Sequence, residues 1–160
     1  MNTLATEWRT PRALGLLAVF LVVVIGVGAL IGISTAPGEW YAALDKPPFN
    51  PPNWVFGPVW FTLYVLIAIA GWRTFLRAPG GVARKLWYAQ MVLNGLWSPT
   101  WFALHWLWPA FVVIAAILAL ILAFIARSWP EDRVSASLFL PYAAWVAFAS
   151  LLNLSIAILN

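Results

Sequence analysis

The sequence predicts an all-α membrane protein, a single domain over residues 1–160 folded as an up-down bundle of five transmembrane helices, and three observations carry that expectation. Hydrophobic residues make up 64% of the chain and charged residues 9%, against about 25% charged in an average soluble domain. The apolar residues fall into five runs, each near the ~20 residues that a hydrocarbon layer of about 30 Å demands of a helix. Every Arg and Lys except Lys46 then falls on one side of the resulting bundle, the asymmetry that orients membrane proteins.

The first span is expected over residues 13–35. Arg9 and Arg12 precede it as they would a secretory leader, but its apolar run exceeds the 7–15 residues typical of one and residues 33–37 make a poor cleavage site, so it reads as a helix. Gly28 and Gly32 form a GxxxG pattern, which lets backbones approach closely within the chain or between two copies. A long loop, residues 36–57, follows. The stretch WYAALDKPPFNPPNWVFGPVW (residues 40–60) is rich in tryptophan and proline. Proline fixes φ and lowers the entropy lost on ordering, while indoles offer flat apolar faces with one donor each. The loop reads as a stiff lid for an aromatic, mostly apolar ligand.

The remaining spans are expected at 58–76, 86–107, 109–128 and 134–159, joined by short connections that force antiparallel neighbours. Pro58 and Pro109 are expected to open helices, whereas Pro99 and Pro141 fall inside spans, where kinks would widen a cavity. By the positive-inside rule the N-terminus and the loops around Pro79 and Glu131 face the cytoplasm. The lid, the turn at His105 and the C-terminus face the outside or periplasm. An apolar helical chain favours the inner membrane over the outer.

Several function classes fall away. The chain has no cysteine, which removes disulfides, thiolate metal sites and cysteine nucleophiles. The net charge of +4 sits at span ends rather than in a patch, so nucleic acid is not an expected partner. The single His105 cannot complete a Ser/His/Asp set; it reads as an interfacial residue, with a metal or haem ligand as the alternative, and no metal site is expected. Trp8, Trp87, Trp106, Trp108 and Trp129, near span ends, read as an interfacial belt.

Two stripes carry polarity into the membrane. On the third span Gln90, Asn94, Trp97 and Trp101 share one helical face, combining amides with indoles. On the fifth, Tyr142, Trp145, Ala149 and Asn153 do the same, with small residues beside the indole. Each stripe is open to two readings, interhelical hydrogen bonding or a pocket wall.

Three blocks in order, WYAALDKPPFNPPNWVFGPVWFTLY (40–64), YAQMVLNGLWSPTWF (88–102) and LPYAAWVAFASLLN (140–153), together resemble the TspO/MBR family, which includes the tryptophan-rich sensory proteins and the translocator protein, or peripheral benzodiazepine receptor. The resemblance implies a five-helix bundle, usually a homodimer, whose cavity under the first loop takes protoporphyrin IX, haem and isoquinoline or benzodiazepine-type ligands. Carried onto matching positions, the ligand-binding residues would be Trp60, Asn94, Trp97, Trp145, Ala149 and Leu152, with Trp40 and Trp54 in the lid. No cofactor is required; porphyrin or haem would be the ligand. Some members are thought to promote light- and oxygen-dependent breakdown of bound porphyrin, and Trp60 and Trp145 would be the oxidisable residues at hand. The animal members' sterol motif needs a Tyr and a following Lys or Arg, which LSIAILN at 154–160 does not supply. The leading reading is a porphyrin receptor or sensor; a transporter of tetrapyrroles or other apolar metabolites and a regulatory interaction protein are the alternatives. The absence of an intramembrane acid or an internal repeat weighs against transport.

Overall fold

Thr10 starts the first helix: its hydroxyl oxygen accepts a hydrogen bond from the Ala13 amide at 3.2 Å, and Pro11 occupies the first turn, where a missing N–H costs nothing. In the computed structural model, which describes residues 8–77 and 80–160, helix α1 is Pro11–Ser34. The lid contains a short helix α2 (Glu39–Ala43), and α3 (Asn53–Arg77) follows. Helix α4 (Val82–Ser98) runs directly into a π-helical turn, Pro99–Ala103. Helix α5 is Leu107–Ser128, α6 is Arg133–Leu138 and α7 is Leu140–Leu159.

The chain is all-helical over its described residues, and four stretches are long and apolar enough to cross a membrane: α1, α3, α5 and the α6–α7 run Arg133–Leu159. The expected third span is the exception, because α4 has 17 residues and its continuation is π-helical. The neighbours run α3, α1, α4, α5, α7, and α6 packs against α3 to complete the ring. Val24, Ile67, Ile114, Ile121, Phe139 and Val146 fill the main core. A second cluster seats lid residue Tyr41 on Trp101, Leu152 and Ile156.

Prolines account for most departures from the expected boundaries. Helix α3 starts at Asn53, so Pro58 lies inside it rather than opening it; as the sixth residue it falls just beyond the four amides that lack an intrahelical partner, and it gives up one i→i−4 bond, to Trp54. Pro99 cannot donate to a helical carbonyl, and the chain answers with a wider turn, the Leu104 amide bonding to the Pro99 carbonyl at 3.0 Å. The last span is split at Phe139, which leaves Pro141 in the first turn of α7. His105 turns the chain into α5 with φ of 59°, a left-handed backbone in a non-glycine residue. Pro79, expected in a loop, lies outside the described residues.

Trp87 corrects the expected interfacial belt. It is buried, its indole N–H donates to the Ile67 carbonyl at 3.0 Å, and it occupies a notch left by Gly71, where a Cβ would come within 2.7 Å of the indole nitrogen. Trp106, Trp108 and Trp129 are exposed.

At the end of the bundle opposite the lid, Asp132 ties α3 to α6. Its side chain caps α6 and accepts from the Ser135 hydroxyl at 2.6 Å; Arg73 grips it through two nitrogens at 2.8 and 3.1 Å, and Arg77 lies 3.8 Å away. Burial alone would raise the carboxyl's pKa, but the hydrogen bonds from Arg73 and Ser135 and the two guanidinium charges outweigh it and hold Asp132 below its ordinary value. Trp8 lies across both arginines, 4.6 and 5.4 Å from its ring.

A candidate ligand cavity under the lid

A cavity of about 470 Å³ opens between α1, α3, α4 and α7 beneath the lid, within the roughly 300–1,000 Å³ of small-molecule sites. The packing of α1 against α3 sets its floor. Gly28 allows this approach: a Cβ there would lie 2.6 and 2.7 Å from the Tyr64 ring atoms Cζ and Cδ2. One turn on, a Cβ on Gly32 would meet nothing within 4 Å, so the second glycine of the GxxxG pattern leaves cavity space rather than packing.

Tyr64, freed to lean toward α1, donates to Asn94 Oδ1 at 3.1 Å; Asn94 Nδ2 donates to the Tyr142 hydroxyl at 2.8 Å, and Tyr142 donates to Gln90 Oε1 at 3.0 Å. The chain of bonds links α3, α4 and α7. Both readings of the α4 stripe therefore hold at once for Asn94, which joins helices and also lines the cavity.

The aromatic walls come from α3 and α4. Trp60 lies 5.5 Å from Tyr64, ring to ring. Trp97 and Trp101 are stacked at 6.2 Å with planes 16° apart, and the widened turn at Pro99 carries Trp101 and Phe102 into the lining. Near the mouth, Thr35 and Ser98 hydroxyls meet at 2.6 Å and pin the end of α1 to α4. None of the lining residues is charged.

Of the residues singled out from sequence, Trp60, Asn94, Trp97, Ala149 and Leu152 line the cavity. Trp145 does not; it packs edge-on to Phe56, which does, at 5.7 Å. Trp40 stacks on His105 at 4.0 Å instead of reaching the lining, and Trp54 is 75% exposed. The lid residues over the space are Pro37 and Tyr41; burial raises the pKa of the Tyr41 hydroxyl. Sequence reasoning missed Tyr41, Phe56, Phe61, Tyr64 and the wall given by α1. Tyr64 was within reach, since it follows Trp60 by one helical turn. Asn153 of the α7 stripe lines the cavity as well.

Residues 18–159 match the TspO/MBR family, a stretch that includes every residue of the cavity lining. The chain belongs to the TspO/MBR family. Among its relatives, the protein CrtK of Rhodobacter capsulatus is 36% identical over 152 residues, 92% of this chain and 94% of that one. The tryptophan-rich protein TspO of Archaeoglobus fulgidus is 34% identical over 146 residues, 89% and 94% of the two chains. The translocator protein of Ovis aries is 34% identical over 148 residues, 85% of each chain. The TspO/MBR match thus reaches from bacterial and archaeal proteins to an animal one over nearly the same length, and in this chain it falls on the helices that build the cavity.

Proposed function

We propose that this TspO/MBR chain is a membrane receptor or sensor for porphyrins, protoporphyrin IX or haem, and for flat apolar ligands of the isoquinoline and benzodiazepine type. The observation that carries the reading is the cavity itself: large enough for a small-molecule ligand, uncharged, walled by indoles and flanked by Pro37 and Tyr41 of the lid. A macrocycle gains burial against Trp60, Trp97 and Trp101, each aromatic contact adding about 0.5–1.5 kcal/mol beyond area. Asn94 has one N–H and one lone pair left after its bonds to Tyr142 and Tyr64, enough to orient a ligand. Carboxylates of a porphyrin belong at the mouth, in water, because the lining offers them no counter-charge; Lys46, whose ammonium lies 4.7 Å over the ring of the lining residue Tyr41, is the nearest cation on the lid. In a light-driven breakdown, Trp60, which lines the cavity, would meet the pigment directly, and Trp145 would act through its contact with Phe56.

The same reading takes α4 and its π-helical continuation as a fifth crossing. The basic end of the bundle then lies in the cytoplasm and the lid outside, in the inner membrane, with two copies paired. Titration of intrinsic tryptophan fluorescence with protoporphyrin IX in detergent tests the receptor. Saturable quenching is expected, with affinity about tenfold weaker in Trp60→Ala and unchanged in Trp106→Phe, an exposed position away from the lining. Quenching that does not saturate, or equal affinity in Trp60→Ala, would overturn the reading.

A further inference from the structure

On the outside of the bundle an open groove of about 330 Å³ lies between α3 and the α6–α7 run, lined by Leu66, Arg133, Val134, Ser137, Leu138 and Pro141 and sharing no residue with the ligand cavity. Apart from Leu66 the lining recurs at i, i+1, i+4, i+5 and i+8, one helical face carried from α6 into the first turn of α7. The face is graded along its length. Arg133 opens α6 at the basic end of the bundle; at about 1.5 Å per residue Ser137 stands ~6 Å deeper and Pro141 ~6 Å deeper again. Both polar side chains are unengaged. At this end Asp132 is held by Arg73 and Arg77, Glu131 by Arg127, and Arg84 lies over the rings of Phe75 and Tyr88, whereas Arg133 has no ion pair or ring contact among the described residues. The hydroxyls of Thr62, Thr74, Thr100, Ser150 and Ser155 each donate to the carbonyl four residues back. That of Ser137 has no partner among the described residues and is exposed in the groove, a costly state for a hydroxyl on a lipid-facing surface.

We propose that this groove is a site for one anionic phospholipid, whose phosphate pairs with Arg133, whose ester carbonyl accepts from the Ser137 hydroxyl one turn deeper, and whose acyl chain lies over Leu66, Val134, Leu138 and Pro141. The chemistry follows from the order of the lining. From the membrane surface inward a phospholipid presents phosphate, then ester, then hydrocarbon, and the groove presents guanidinium, then hydroxyl, then apolar surface. Guanidinium and phosphate make charge-assisted, bidentate hydrogen bonds. A soluble phosphate ester would meet Arg133 and leave the deeper levels unused. The headgroup is anionic because this end of the bundle carries a surplus of positive charge: Arg12, Lys85 and Arg133 have no carboxylate partner among the described residues. A zwitterionic headgroup would bring a cation of its own into that field.

The test titrates phosphatidylglycerol, and phosphatidylcholine with the same acyl chains, into the full chain in a non-ionic detergent and counts bound lipids by native mass spectrometry. The first phosphatidylglycerol is expected to bind about tenfold more tightly than the first phosphatidylcholine, and Arg133→Gln should bring the ratio to near one. Lys85→Gln removes the same charge from an exposed position at the same end, outside the groove, and should leave the ratio unchanged. Ser137→Ala should weaken both lipids about threefold, since the ester is common to them. A ratio near one in the unaltered chain overturns the site without needing any variant. Equal losses in Arg133→Gln and Lys85→Gln also overturn it, because the attraction would then belong to the whole basic end. Unchanged affinities in Ser137→Ala overturn the placing of the ester. Glycerol 3-phosphate at matched concentration should not displace the lipid; displacement would make a soluble phosphate ester the occupant. A monomer–dimer ratio that shifts in Arg133→Gln without a change in bound lipid would make the groove a contact between copies and would likewise sink the proposal.

Discussion

The two glycines of the α1 GxxxG pattern should respond to the same substitution with opposite signs. In Gly28→Ala the added Cβ would lie 2.6 Å from Tyr64 Cζ and 2.7 Å from Cδ2, and the ring cannot simply swing aside, because it lies against Trp60 and its hydroxyl is bonded to Asn94. Overpacking of this kind costs about 1–3 kcal/mol, and strain on the Tyr64–Asn94 bond adds about 0.6 kcal/mol on the scale of interhelical bonds in membranes. Against that stands the roughly 0.5–1 kcal/mol by which Ala improves on Gly inside a helix. The net is a loss of about 1–3 kcal/mol. In Gly32→Ala nothing lies within 4 Å of the new methyl, so only the helix gain remains.

Thermal unfolding in detergent reads the difference. For a chain of this length about 2 kcal/mol corresponds to roughly 4–8 °C, so Gly28→Ala should melt well below the unaltered protein and Gly32→Ala at or slightly above it. Adding Tyr64→Leu, which removes the ring, should leave Gly28→Ala with little further effect, a coupling that a double-mutant cycle resolves. Shifts of equal size and sign for the two glycines would refute the reasoning and point instead to a contact outside the chain that uses both.

The lid and the charged end give two further tests. Asn160 holds the lid through a matched pair, accepting from the Asp45 amide at 3.0 Å and donating to the Asp45 carbonyl at 3.0 Å; Asn160→Ala should raise amide hydrogen exchange across residues 41–46 severalfold while leaving α5 unaffected, and unchanged exchange in the lid would show that the pair holds nothing. Asp132 has a lowered pKa in the folded chain, so its stabilisation is complete above the unfolded value of about 3.9 and is lost as pH falls through the folded value. Melting temperature should thus fall from pH 5 toward pH 3, with Asp132→Asn lower at pH 7 and less sensitive over that interval; parallel curves would refute the assignment.

Proline illustrates how far local chemistry carries. That Pro99 and Pro141 would disturb their spans follows from a missing donor and a ring, but the form of each disturbance depended on neighbours. At Pro99 the chain widened into a π-turn that delivers Trp101 and Phe102 to the cavity. At Pro141 it broke the helix two residues earlier and gave the proline a first-turn position. Tryptophan shows the same boundary. Nothing near Trp87 in the sequence marks it as buried, because its place is made by Gly71 on another helix.

The order of residues alone determined that this chain is helical and apolar enough for a membrane, that its first long loop is rich in proline and tryptophan, and to which family it belongs, since composition, hydrophobic run length and motif spacing are local properties. Helical spacing singled out Asn94, Trp97 and Ala149, and the resemblance of the motif blocks to the family added Trp60 and Leu152. Only the packed chain decided that Trp40 stacks on His105, that Trp54 turns outward, that Asn94 is bonded from both sides and that Asn153 is not. Which partner a side chain meets across a helix interface is set by the rotation and separation of two helices, and those are fixed jointly by contacts such as Gly28 with Tyr64 rather than by either segment on its own.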